Sequence, residues 1–166
     1  MIYDRGIQRE VINVGTGLVQ ERHTSDFWVF EGVDKRDYAV SGTWGADGTT
    51  YFWDVTDPAQ IRKIDSIQVD ARTVNDVKVS EDGRISVISR EGASSRRNGI
   101  VIVDTTNPYD VNIISEYTTN LTGGVHNVFI YQDHVFALSN GERFYVINIE
   151  DPKNPYEVGM FETCLL

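Results

Sequence analysis

Along this chain the apolar residues alternate with polar ones or run in short unbroken stretches, and turn-forming residues recur every few positions. A period of two is the signature of pleated strands, whose successive side chains face opposite sides; the 3.6-residue period of an amphipathic helix is hard to find anywhere. Three stretches share one punctuation: Tyr51-Phe52-Trp53-Asp54 with Pro58, Ile100-Val101-Ile102-Val103-Asp104 with Pro108, and Phe144-Tyr145-Val146-Ile147-Asn148 with Pro152. In each, an apolar run ends at Asp or Asn and a proline follows four residues later. Short Asp and Asn side chains accept hydrogen bonds from backbone groups two residues on, and proline lacks the N–H that a continuing ladder needs, so a strand must end there.

Asp54, Asp104 and Asn148 are separated by 50 and then 44 positions, a period that belongs to blade-like repeats. After each proline comes an alternating stretch (residues 61–69, 111–117 and 156–161). Ahead of each punctuated run lie two more, residues 25–30 with 37–41, 74–80 with 84–89, and 125–131 with 134–139. Glu81-Asp82-Gly83 and Gln132-Asp133 are tight hairpin joins. The expectation is four short antiparallel strands per period, in three units at 24–70, 71–118 and 119–166. The segment 1–23 carries a stretch, 8–14, that could supply one strand of a preceding unit.

This pattern predicts an all-β fold, a β-propeller of four-stranded antiparallel blades, with an open β-sandwich as the rival. Propellers close with about four to eight blades, so three units plus a partial strand make an incomplete ring. Closure needs missing blades, which would make the chain a fragment, or a second half-ring.

Composition narrows the partners. Fifteen basic against twenty-five acidic residues give a formal charge of −10, which repels phosphate backbones and argues against nucleic acid. The acids are scattered through turns, as a solvated surface requires. No apolar run approaches the roughly 20 residues that span a bilayer, and the opening Met1-Ile2-Tyr3-Asp4-Arg5-Gly6 lacks the apolar stretch of a signal peptide. Cys164 is the only cysteine, so neither an internal disulfide nor a cysteine-rich zinc site can form. A Gly-rich phosphate loop, a nucleophile elbow and a dinucleotide fingerprint are all absent.

The run Ile100-Val101-Ile102-Val103-Asp104 followed by Thr-Thr-Asn-Pro resembles the LVIVD-repeat family. The segments Val74-Asn75-Asp76-Val77-Lys78-Val79, Arg90-Glu91-Gly92-Ala93-Ser94 and Gly123-Gly124-Val125-His126-Asn127-Val128 are also similar to its longer members. The resemblance implies a propeller of seven or a similar number of blades, of undefined activity, and an exported or surface-attached bacterial setting.

Candidate chemistry follows from the repeat. Aligning the first strands brings Ser25-Asp26, Asn75-Asp76 and His126-Asn127 into register, each just ahead of an alternating stretch. In a propeller the first strands line the central channel, so Asp26, Asn75, Asp76, His126 and Asn127 would converge at a channel mouth. There they could hold a polar ligand or a cation such as calcium. They could equally tie neighbouring units by side-chain-to-backbone hydrogen bonds. No cofactor is identified by a motif, and ligand spacings such as His-Glu-x-x-His do not occur.

His23 and His134 read as solvent-facing, and Trp28, Trp44 and Trp53 as packing between units. Ser94-Ser95-Arg96-Arg97-Asn98-Gly99 reads as a solvated loop that could meet an acidic partner, and Asn120-Leu121-Thr122 as a chance match to a glycosylation acceptor. Two functions remain open: a noncatalytic scaffold that binds a protein or surface ligand through its loops, and a propeller-type hydrolase or oxidoreductase with an ion or polar ligand in the channel.

Overall fold

The computed structural model describes residues 23–162, which form three four-stranded antiparallel sheets and no helix. Sheet 1 contains β1 (His23–Glu31), β2 (Asp37–Trp44), β3 (Thr49–Asp54) and β4 (Arg62–Gln68). Sheet 2 contains β5 (Val77–Val79), β6 (Ile85–Arg90), β7 (Gly99–Asp104) and β8 (Asn112–Tyr117). Sheet 3 contains β9 (Val125–Tyr131), β10 (His134–Ser139), β11 (Arg143–Asn148) and β12 (Tyr156–Glu162). Each sheet is a meander in chain order. The expected strand at 8–14 and Cys164 lie outside the described residues.

The punctuation works as the side-chain chemistry predicts. The Oδ1 atoms of Asp54, Asp104 and Asn148 accept the N–H of Thr56, Thr106 and Glu150 at 3.1, 2.9 and 3.0 Å. A second turn of the same kind flanks each proline, where Asp57, Asn107 and Asp151 accept from Ala59, Tyr109 and Lys153. Gln132 supplies the positive φ, 51°, of the two-residue hairpin between β9 and β10.

The sheets pack face to face, and alternation decides which residue faces which neighbour. Trp28, Val40 and Phe52 of sheet 1 meet Val77, Ile88 and Val101 of sheet 2 in one core. Val87, Ile100 and Ile102 of sheet 2 meet Val128, Ala137 and Ile147 of sheet 3 in a second. Sheet 2 is covered on both sides, which is why β7 reads as the continuous run Ile100-Val101-Ile102-Val103, all fully buried. Each such side chain contributes about 1.5–3 kcal/mol relative to exposure. The first strands lie side by side, β1 against β5 and β5 against β9.

Two expectations change. The first strand of sheet 2 is far shorter than residues 74–80, because the chain before it pairs elsewhere. Val74 donates to the Thr43 carbonyl at 2.8 Å, Thr73 bridges to Glu91, and the Asp76 N–H goes to the Ser89 hydroxyl at 2.8 Å. Trp44, expected between units, is 57% exposed, beside the ring of His23. Trp28 packs against the first core, and Trp53 donates its indole N–H to Ser41 at 2.9 Å.

Candidate functional site

The side-by-side first strands put the aligned polar pairs where sheets meet. Asp26 precedes the exposed stretch of β1, and its Oδ2 crosses to sheet 2, accepting the Val77 N–H at 3.1 Å. Asp76 repeats the move one unit on: its Oδ2 accepts the Val128 N–H at 2.7 Å. The same contact, carboxylate to the backbone of the next unit, is thus made at both sheet junctions.

Lys78 joins the two. Its ammonium lies 2.8 Å from Asp26 Oδ2, hydrogen-bonds Asp76 Oδ1 and the Val77 carbonyl, and sits 4.9 Å from the centre of the Trp28 ring. The Lys78 side chain is 15% exposed and that of Asp76 5%, so these charges hold one another with little help from water. Burial pushes the Asp26 carboxyl up, but hydrogen bonds involving Asp76, Lys78 and the backbone of Val77 and Phe27 outweigh it and hold Asp26 well below the usual carboxylate range. Burial raises the Asp76 carboxyl, and its neighbour Asp26 raises it further against the pull of Lys78 and the Val128 N–H. Two carboxylates around one ammonium cannot both ionise freely, so the pair titrates as a unit.

The remaining aligned residues separate from this cluster. Ser25 donates to the Val74 carbonyl, which ties sheet 1 to sheet 2. Asn75 turns away and donates to Glu91. His126 and Asn127 are exposed, with His126 Nδ1 3.0 Å from Asn127 Oδ1, and Asn127 Nδ2 reaches Asp76 Oδ2 only at 3.4 Å. Asp26 and Asp76 therefore come together, while Asn127 and His126 border a different feature, to which Asn75 is linked only through Glu91.

That feature is an open cleft of about 350 Å³ bounded by Glu91, Gly123, Gly124, His126, Asn127 and Asn140. The loop Gly123-Gly124 forms its floor beside Asn140, which holds a positive φ of 53° at the β10–β11 turn. Glu91 and Asn140 were not singled out by the sequence pattern. Glu91 follows β6 by one residue, and only the packing of sheet 2 on sheet 3 brings it to the same cleft as His126.

Lys78 was also missed, although a signal existed. It occupies the position held by Trp28 in sheet 1 and Phe129 in sheet 3, each two residues beyond the aligned acid or amide. A lysine replacing an aromatic ring at an inward-facing position requires a carboxylate nearby. Between Asp26 and Asp76, one of the places where the aligned residues could have held a cation, the Lys78 ammonium supplies a positive charge. Among the described residues, no group of three or more His, Cys, Asp or Glu side chains is placed to hold a metal ion.

A second charged cluster lies at the Asp54 turn. Asp54 is 3% exposed and receives Arg36 at 2.8 Å, Arg62 at 3.0 Å and the Tyr109 hydroxyl at 2.8 Å. Tyr109 belongs to the turn after β7, so this contact ties sheet 2 to sheet 1. The loop with Arg96 and Arg97 is pinned at its base: Ser94 and Ser95 donate to Asp70, and Asn98 donates to the Thr122 carbonyl. Its two arginines stay exposed. Asn120 is held by Glu157 at 2.9 Å, and His134 is half-buried. Among the described residues no helix is long and apolar enough to cross a membrane.

No family model matches the chain. No curated protein matches it either. Many solved structures share its fold, and two of them illustrate the likeness. A hypothetical selenium-binding protein from Sulfolobus tokodaii superposes with a TM-score of 0.66 at 13% identity, over 84% of this chain and 38% of that one. A protein from Bacteroides uniformis named as a 6-phosphogluconolactonase superposes with a TM-score of 0.64 at 15% identity, over 81% of this chain and 42% of that one. At such identities the likeness concerns the fold alone, and the chain spans about two fifths of the length of each of these proteins.

Proposed function

We propose that the chain is part of a β-propeller of the LVIVD-repeat kind and serves as a noncatalytic scaffold, binding a polar protein segment or surface ligand at the loop end of its first strands. Three consecutive four-stranded meanders, first strands adjacent and joined by a repeating carboxylate-to-backbone tie, support the propeller reading. The resemblance supports an extracytoplasmic or cell-surface setting.

The observation that carries the binding reading is the cleft at the sheet 2–sheet 3 junction. It is open, of a size that accepts a small polar group, and it presents Glu91, His126 and Asn140 together. The alternative, a hydrolase or oxidoreductase with an ion in the channel, would draw on Asp26 and Asp76. Their oxygens are already engaged by Lys78 and by the backbone N–H groups of Val77 and Val128, which favours the scaffold.

The test is a screen of the whole protein on glycan and peptide arrays, followed by titration of the strongest binder. His126→Ala with Asn140→Gly, glycine being at ease at the positive φ of Asn140, should weaken that binder at least about tenfold, as loss of central polar contacts does, with an unchanged Tm. Turnover of an ester, lactone or alcohol that depends on Glu91 or His126 would replace the scaffold reading with the enzymatic one.

A further inference from the structure

The cleft between sheets 2 and 3 has a chemical bias. Among the described residues that line it, Glu91 is the only acid, and none is a lysine or an arginine. The backbone of Glu91 is fixed, since its N–H donates to the Thr73 carbonyl and its own carbonyl accepts from Thr73, both at 3.0 Å. Its side chain is held as well, because the Asn75 amide donates to Oε2 of the carboxylate. Asn75, one of the residues aligned by the repeat, is thus a positioning residue for this acid. The other oxygen, Oε1, faces Gly124, 3.7 Å from the place a Cβ would take there.

The glycine pair keeps the space beside Glu91 clear. A Cβ on Gly123 would stand 2.2 Å from Nδ2 of Asn140, and Gly124 holds a φ of 110°, which L side chains rarely adopt. On sheet 3, Asn127 directs Nδ2 to Asp76 Oδ2 at 3.4 Å and Oδ1 to His126 Nδ1 at 3.0 Å. An amide oxygen only accepts, so Nδ1 carries the proton of the neutral ring and Nε2 keeps its lone pair. The Asn140 carboxamide adds a further acceptor, and Leu138 gives the cleft an apolar wall. A carboxylate among neutral acceptors repels an anion, and among the described residues no Trp, Tyr or Phe lines the cleft to stack on a sugar. The set suits a group that only donates, bears positive charge and ends an apolar stem. The formal charge of −10 draws the same kind of ion toward the chain.

We propose that this cleft binds an alkylammonium ion, with Glu91 as its counter-charge, His126 and Asn140 as further acceptors, and the methylene stem against Leu138. The inference rests on the binding reading of the cleft above and narrows its ligand to one chemical class.

Calorimetric titration of the whole protein tests it with Nα-acetyl-lysine-N-methylamide and with n-butylamine, which carry the same ammonium in a peptide unit and alone. At least one should bind, more weakly as salt rises. Tighter binding of the first assigns the ion to a lysine side chain of a protein segment, and tighter binding of the second to a free amine. Acetylating the ε-nitrogen of the first removes the charge and keeps the stem, and should abolish measurable binding. Glu91→Gln, which keeps an oxygen for Asn75, should weaken the amines at least about tenfold. The acetylated ligand leaves the protein untouched, so it decides the question even where the variant does not fold. No binding of either amine, equal binding of the acetylated ligand, or an affinity indifferent to Glu91→Gln would overturn the proposal. A neutral or anionic array ligand that depends on His126 and Asn140 would overturn the ammonium class and leave the binding function standing, whereas the absence of any ligand dependent on these residues would remove both.

Discussion

The Asp76 carboxylate accepts the backbone N–H of Val128 at 2.7 Å, joining two sheets across 52 residues of chain. Asp26 does the same for Val77. A strand at a sheet's edge has N–H groups without ladder partners, and burying one against a neighbouring sheet would cost roughly 1–3 kcal/mol if nothing accepted it. The acid at the start of each first strand accepts that donor and fixes the distance between units.

Asp76→Ala removes this acceptor and one partner of Lys78 while the surroundings stay closed. The expected loss is about 3 kcal/mol, or a fall of roughly 10 °C in Tm for a domain of this size. Asp76→Asn keeps an oxygen for Val128 and leaves Asp26 to balance Lys78, so its loss should stay below about 1 kcal/mol. Thermal unfolding of the pair checks the order; equal losses would show that the charge, not the tie, matters.

Lys78→Met tests the shared ammonium through its pH dependence. In the wild type the folded pKa of Asp26 is depressed, so its contribution is present above the ordinary value of 3.8 and is lost as pH falls through the folded value. Without Lys78 both carboxyls move upward and favour the protonated form in the folded state. The variant should therefore be destabilised most at pH 7, with the gap to wild type narrowing toward pH 4. A Tm difference that does not change with pH would refute the charge account.

Asp54 gives a separate acid limb. Burial raises its carboxyl, but the hydrogen bonds from Tyr109, Thr56 and Arg62 hold it well below the usual range. Stability from this group is present above about 3.8 and lost as pH falls through the depressed value. Asp54→Asn should cost about 2 kcal/mol at pH 7, and the difference should shrink in strong acid. Tyr109→Phe, which removes one bond to the carboxylate, should cost about 1.5 kcal/mol; chemical denaturation at several pH values reads both.

Gly83 closes the β5–β6 hairpin at a φ of 72°, and a Cβ there would lie 2.4 Å from the Glu31 carbonyl oxygen of sheet 1. Gly83→Ala should thus combine left-handed strain with a backbone clash and cost at least about 2 kcal/mol. A Tm within a degree of wild type would mean that this hairpin does not press on sheet 1.

The strands, their number and the turns that end them were legible along the chain. Alternation is a property of each strand, and the Asp or Asn that accepts an N–H two residues on acts within a single turn, so Asp54, Asp104 and Asn148 could be placed without knowing what surrounds them. The repeat also brought Asp26, Asp76 and Asn127 into one register, because it copies a position from unit to unit.

What those positions touch was settled by the stacking of the sheets. Lys78 sits between two carboxylates that are 50 residues apart, Glu91 lines one cleft with His126 because sheet 2 lies on sheet 3, and Tyr109 meets Asp54 across a sheet junction. Trp44 stays exposed while Trp28 is packed, although both belong to one unit. The reason is common to all four: partner choice between sheets depends on how faces stack and edges align, and these distances arise from packing rather than from any pattern along the chain.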